Sequence, residues 1–115
     1  MPVNDLVVYT KTEQLLYNIY PVLINYPKAE KHALSKQIKD NIIDLLKCIS
    51  LGNSVPSKRL SYLQEADGYL QTVKVLFRLS RQRKYISRGL AEKLELELYE
   101  INKLLAGYIK SAARK

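Results

Sequence analysis

With 115 residues the chain has room for one domain with a core of its own, able to bury roughly two-thirds of the surface its unfolded form exposes. Nineteen Lys and Arg against eleven Asp and Glu give a formal charge of +8, which favours nucleic acid, an anionic membrane or an acidic protein as partner. Four Gly and four Pro amid runs of Leu, Ile, Lys, Glu and Tyr exclude a disordered tail and a strand-rich fold; MPVNDLVVYT lacks the features of a secretory signal, so a cytoplasmic protein is expected.

The first helix is expected to begin near Asn4 or Asp5, either able to cap free amides, and to carry Val8, Leu15, Leu16, Ile19 and Leu23 towards the core. Pro21 lies well past the first turn and removes a hydrogen bond there, which predicts a kink or a break, with Pro27 ending the helix or opening the connection. The second helix, starting between Lys28 and Ala33 and running to about Leu51, sets Leu34, Ile38, Ile42, Leu45 and Ile49 on one stripe and Lys36, Asp40, Asp44 and Lys47 opposite. Cys48, the sole cysteine, falls among Leu45, Leu46 and Ile49 and reads as a small buried side chain. Gly52, Asn53, Ser54 and Pro56 form the clearest break, with Gly52 a candidate left-handed cap and Ser57 just beyond.

The third helix is expected from Ser57 to Lys84, about 40 Å long at 1.5 Å per residue, with Leu63, Ala66, Leu70, Val73 and Phe77 on its buried side. Gly68 within it implies either a close neighbouring backbone or a tolerated surface position. Tyr62, Tyr69 and Leu76, spaced by seven, form a second apolar edge. After a turn around Tyr85 to Gly89, Ser87 can cap a fourth helix whose stripe is Leu90, Leu94, Leu98, Ile101, Leu105 and Tyr108. Leu96 and Tyr99 fall on its opposite side and, with the Tyr62, Tyr69 and Leu76 edge, are a candidate subunit contact. Four such helices with short connections predict an all-α, antiparallel up-and-down four-helix bundle, a single domain over residues 1–115; an elongated three-helix arrangement is the alternative if the first helix breaks at Pro21.

Between Gly68 and Ala91 stand Lys74, Arg78, Arg81, Arg83, Lys84 and Arg88 with no acidic residue. Lys74, Arg78 and Arg81, four and three apart, form a ridge beside the buried stripe, and a cluster of cations without local neutralisation is suited to phosphates. Tyr85 among them either stacks on an exposed base or caps the core, and Lys110, Arg114 and Lys115 are a frayed tail or a second anchor. Catalysis has no comparable signal. His32 has no HxxxH or ExxH partner, the four carboxylates of the last helix spread around it, and no phosphate-binding glycine loop or nucleophile elbow occurs, so neither a cofactor, a metal nor a small-molecule substrate is expected. The apolar stripes are needed to hold the bundle together, which argues against a membrane-surface role.

The segment from Tyr26 to Ile38 carries Tyr26-Pro27, Glu30, Leu34 and Gln37-Ile38, a pattern that resembles the four-helix proteins encoded by intervening sequences in ribosomal RNA genes and their relatives in diversity-generating retroelements. The Asn-Ile-Ala-Glu-Gly-like segment usual in the ribosomal-insert proteins is absent at Cys48 to Asn53. YLQEADGYLQTVKVLFRLSRQRKYIS and YEINKLLAGYIKSAARK, with the Leu76 to Leu79 run and the Glu-Ile-x-x-Leu-Leu-x-Gly-aromatic ending at Tyr108, are more similar to the accessory variability determinant (Avd) family of those retroelements. The resemblance spans nearly the whole chain. It implies a homopentameric barrel that binds the element's reverse transcriptase and its template RNA or cDNA, supporting mutagenic copying without catalysing it. It also places the family's basic surface on Lys74, Arg78, Arg81, Arg83, Lys84 and Arg88. The rival expectation is an oligomeric protein-interaction scaffold whose positive charge meets an acidic protein.

Overall fold

The apolar stripes meet along one axis, and the chain folds up and down around it. A computed structural model describes residues 3–114, with side chains described from Leu6 to Arg114. Four helices, α1 (Val3–Ile24), α2 (Leu34–Ser54), α3 (Arg59–Gln82) and α4 (Arg88–Ala113), are joined by short connections, the first two of which contain single 3₁₀ turns at Lys28–Glu30 and Pro56–Lys58. Among the described residues there is no strand. Each helix packs against two others: α2 lies between α1 and α3, and α4 between α3 and α1, while the diagonal pairs stay apart. Cross-helix bonds run in antiparallel order, Lys11 with Glu100 and Asn18 with Glu97 between α1 and α4, and Gln71 with Asn102 and Arg81 with Glu95 between α3 and α4. The capping side chains expected at Asn4 and Asp5, and Lys115, lie outside what is described.

Most of the expected core is buried, and Tyr26, Ile86 and Ala91 join it. Val8, Leu15, Ile19 and Leu23 of α1, Leu34, Ile38, Ile42, Leu45, Cys48 and Ile49 of α2, Leu63, Ala66, Leu70, Val73 and Phe77 of α3, and Leu94, Leu98, Ile101, Leu105 and Tyr108 of α4 are all buried. Leu16 and Leu90 pack half-buried against this cluster. Thr12, wholly buried between Val8 and Leu15, is accommodated because its hydroxyl donates to the Val8 carbonyl at 2.8 Å. Burial raises the Cys48 thiol above its ordinary value, in keeping with a packing role.

Two expectations are revised and one open choice is decided. The first helix does not break at Pro21 but continues through it to Ile24. Pro21 and Tyr17 are both exposed, so the carbonyl that loses its amide partner lies where water can reach it. Gly52 is not a left-handed cap: α2 runs past it to Ser54, and no described glycine has a positive φ. Its constraint is steric, since a Cβ there would meet Leu63 Cδ2 at 3.0 Å. Gly68 has the opposite character, with nothing within 4 Å of a built Cβ, and is the tolerated surface glycine of the two readings. At this end of the bundle Arg59 takes up the last carbonyls of α2, Nε donating to Gly52 O at 2.8 Å and Nη2 to Asn53 O at 3.3 Å. Tyr108 also closes it, donating its hydroxyl to Asn53 Oδ1 at 2.6 Å.

Candidate nucleic-acid interface

The up-and-down path returns the α3–α4 connection to the same end of the bundle as the α1–α2 connection. How α3 stops determines what is displayed there. The amide of Tyr85 bonds to Ser80 O and that of Lys84 to Arg81 O, both at 3.0 Å, the paired pattern that closes a helix through a residue of left-handed conformation. That residue is Lys84, with φ 61°, the one positive-φ non-glycine residue among those described. A lysine in this conformation costs about 1–2 kcal/mol because its Cβ crowds the following carbonyl, and Gly is the usual occupant. Three residues on, Ser87 caps α4 as expected, its hydroxyl accepting from the Leu90 amide at 3.1 Å.

Tyr85 then turns inward. Its ring centroid lies 5.3 Å from that of Tyr26 with the planes tilted by 54°, and its hydroxyl donates to Glu30 Oε2 at 2.9 Å. The bond to this carboxylate raises the Tyr85 phenol above its ordinary value. Tyr85 is therefore the core-capping tyrosine of the two readings; its ring is engaged by Tyr26 and is not presented to a base. The pairing has a second effect, because it clamps the connection that carries Lys28 and Lys31 against the one that carries Arg83 and Lys84.

The six cations anticipated from the sequence do not behave alike. Lys74 is half-buried and donates to Asn102 Oδ1 at 2.9 Å, so it is turned towards α4. Arg81 pairs with Glu95 at 3.0 Å and Arg88 with Glu92 at 3.3 Å, both exposed pairs of small energetic worth. Arg78, Arg83 and Lys84 are exposed and meet no carboxylate among the described residues. Lys28 and Lys31, also exposed and unpaired in that sense, join them from the other connection. Across residues 25–33 and 83–87 there are thus four cations, Lys28, Lys31, Arg83 and Lys84, against the single carboxylate of Glu30, which already accepts from Tyr85. Lys28 and Lys31 were missed because a charge count along the chain does not see across the bundle; the signal was the topology, which puts the first and third connections at one end.

Between the end of α3 and the start of α4 lies a groove of about 240 Å³, floored by Phe77, Ile86 and Leu98 and edged by Lys74, Arg78, Arg81, Glu95 and Tyr99. Tyr99 is 65% exposed and Leu96, on the outermost side of α4, 68%. Tyr69 and Leu76 instead pack against the core, and Tyr62 is half-buried on the same side of α3. Tyr69 lies on the α2 side, where the carboxylate of Asp44 raises its phenol. The structure therefore separates the two apolar sets that the sequence joined in one candidate contact. Among the described residues no group of three or more His, Cys, Asp or Glu is placed to hold a metal, and no helix is long and apolar enough to cross a membrane.

Comparison with known proteins adds a family. The model of the bAvd-like family matches residues 6–112. Among solved structures, the chain is similar to a protein of unknown function from the S23 ribosomal protein family of Bacteroides thetaiotaomicron VPI-5482, with 25% identity over 94% of this chain and 99% of that one and a TM-score of 0.82. No curated protein matches the chain.

Proposed function

The chain belongs to the bAvd-like family, and from that premise we propose that it is a non-catalytic accessory subunit of a diversity-generating retroelement, binding template RNA or cDNA and the element's reverse transcriptase. One observation carries the nucleic-acid part. Two connections far apart in sequence are clamped together by Tyr26, Tyr85 and Glu30, and the four cations they display face a single, already engaged carboxylate. Lys84 strengthens the reading, since a cation is kept where backbone strain favours glycine. Arg78 extends the same field along α3. Such groups neutralise phosphates and release condensed counterions, so binding is tight at low salt and largely indifferent to sequence.

The subunit acts by position. A basic end holds the template strand while another surface of the particle meets the polymerase, which performs the chemistry. Assembly into a homopentamer places several such ends around one axis, and Leu96 and Tyr99 on α4 are among the exposed apolar groups available for that contact. Fluorescence anisotropy with a short single-stranded RNA tests the binding reading. The logarithm of the association constant should fall linearly with the logarithm of salt concentration, with a slope of about −0.7 for each phosphate neutralised. Absence of binding at low salt, with an acidic protein retained instead, would replace this function with that of a protein-interaction scaffold. Light scattering at micromolar concentration tests the assembly, and a clean monomer would refute it.

A further inference from the structure

We propose that the cavity between the end of α1 and the start of α2 receives one unpaired nucleotide of a strand held on the basic end, an inference that rests on the nucleic-acid reading above. The cavity has a volume of about 340 Å³, within the range of small-ligand pockets. Its walls include Tyr20 and Pro27, its rim carries Lys28, Lys31 and Lys39, and Ser35 lies in its lining. No carboxylate lines it. That distinguishes it from the groove between α3 and α4, where Glu95 stands beside the cations and would repel a phosphate.

Two features match a base joined to a phosphate. Tyr20 is about half exposed, and Lys39 Nζ lies over its ring, 5.3 Å from the centroid, so a base stacking on that face takes the place of the ammonium, which is then free to meet the phosphate. Ser35 is 5% exposed and its hydroxyl makes no hydrogen bond. The helical Ser and Thr hydroxyls that do bond, Thr12, Ser54, Thr72 and Ser80, each donate to the carbonyl four residues back. Ser35 is the second residue of α2, where the preceding turn is not α-helical, and its hydroxyl is left without that local carbonyl partner. Tyr26 also lines the cavity, but its hydroxyl is turned towards Ser80 of α3, without completing a bond of good geometry. Ser35 Oγ is closed off from solvent, so a base edge would supply its missing partner once a local side-chain shift opens it to the cavity.

Lys28 and Lys31 belong both to this rim and to the basic end, so a strand tracking along Arg83 and Lys84 reaches the cavity without leaving positive surface. A base can enter only if it is unpaired, which makes the protein prefer single strands over duplex.

The test compares an oligo-dT of about a dozen nucleotides, within the site sizes of single-strand binders, with an abasic strand of equal length and charge, by anisotropy at about 0.1 M salt, where screening acts over ~10 Å. The base-bearing strand should bind about tenfold more tightly, the effect of one stacked base. Tyr20→Ala, which alters an exposed ring and no charge, should bring that ratio near one while leaving the salt slope unchanged. Ser35→Ala should lower the ratio, whereas Thr72→Ala, whose hydroxyl already has a partner, should not. Equal binding of the two strands by the wild-type chain, or a ratio that survives Tyr20→Ala, overturns the pocket alone. If neither strand binds, the phosphate-binding reading falls and the pocket with it.

Discussion

Replacing Lys84 with glycine should make the protein more stable and a weaker ligand for nucleic acid at once. Lys84 holds φ 61° at the end of α3. An L-residue in that region costs about 1–2 kcal/mol, and glycine returns about 0.5–1 kcal/mol of this through the greater freedom of its unfolded chain. The net gain is about 0.5–1 kcal/mol. With 115 residues the unfolding entropy is about 0.24 kcal/mol/K, so the gain corresponds to a rise of roughly 2–4 °C in Tm. Thermal melting by circular dichroism measures it, with Lys84→Ala as the control that removes the charge and keeps the strain. Both variants should lose about 0.7 from the salt slope for single-stranded RNA, one phosphate contact fewer. A Lys84→Gly protein no more stable than the Lys84→Ala protein would refute the left-handed cap, and an unchanged salt slope in both would refute the part given to this cation.

The two glycines in α2 and α3 should respond oppositely to alanine. Gly52→Ala drives a Cβ against Leu63, itself fully buried, and should cost about 1–3 kcal/mol in urea unfolding, whereas Gly68→Ala meets nothing and should gain up to about 1 kcal/mol. Ser87→Ala removes the α4 cap and should cost about 1 kcal/mol by the same measurement. The phenols of Tyr26 and Tyr85 are both raised in the fold, by burial and by the bond to Glu30 respectively. Their contribution to stability is complete below the ordinary phenol value near 10 and is lost as pH rises through the higher folded values, so alkaline melting should show Tm falling only above about pH 10, and less steeply in Tyr85→Phe.

The core was legible because its stripes are local. A 3.6-residue period in α2, α3 and α4 named Ile38 to Ile49, Leu63 to Phe77 and Leu94 to Tyr108, and each of those stripes is buried. What failed to show in the sequence depends on residues distant along the chain. Gly52 followed by Asn, Ser and Pro reads as a helix end, and only the approach of Leu63 from α3 reveals a glycine inside the helix with a side chain packed close over it. Tyr85 beside Arg83, Lys84 and Arg88 reads either as a stacking platform or as a core cap until Tyr26 and Glu30 engage it. A lysine gives no hint of a left-handed cap, since lateral crowding disfavours it there. The candidate site followed the same pattern: its cations from Lys74 to Arg88 were visible as a run, but the pairing of Arg81 with Glu95 and of Arg88 with Glu92, and the arrival of Lys28 and Lys31, were not.

Affinity belongs either to one end of the bundle or to the charge of the whole molecule, and the two are separable by experiment. Three double variants, each removing two cations, decide it by anisotropy with one single-stranded RNA at fixed salt: Lys28→Ala with Lys31→Ala, Arg83→Ala with Lys84→Ala, and Lys58→Ala with Lys110→Ala at the opposite end. The first two should weaken binding to a similar extent despite their separation in sequence, and the third should leave it close to wild type. Equal losses in all three would mean that net charge alone attracts the strand, and would contradict a surface assembled from the two clamped connections.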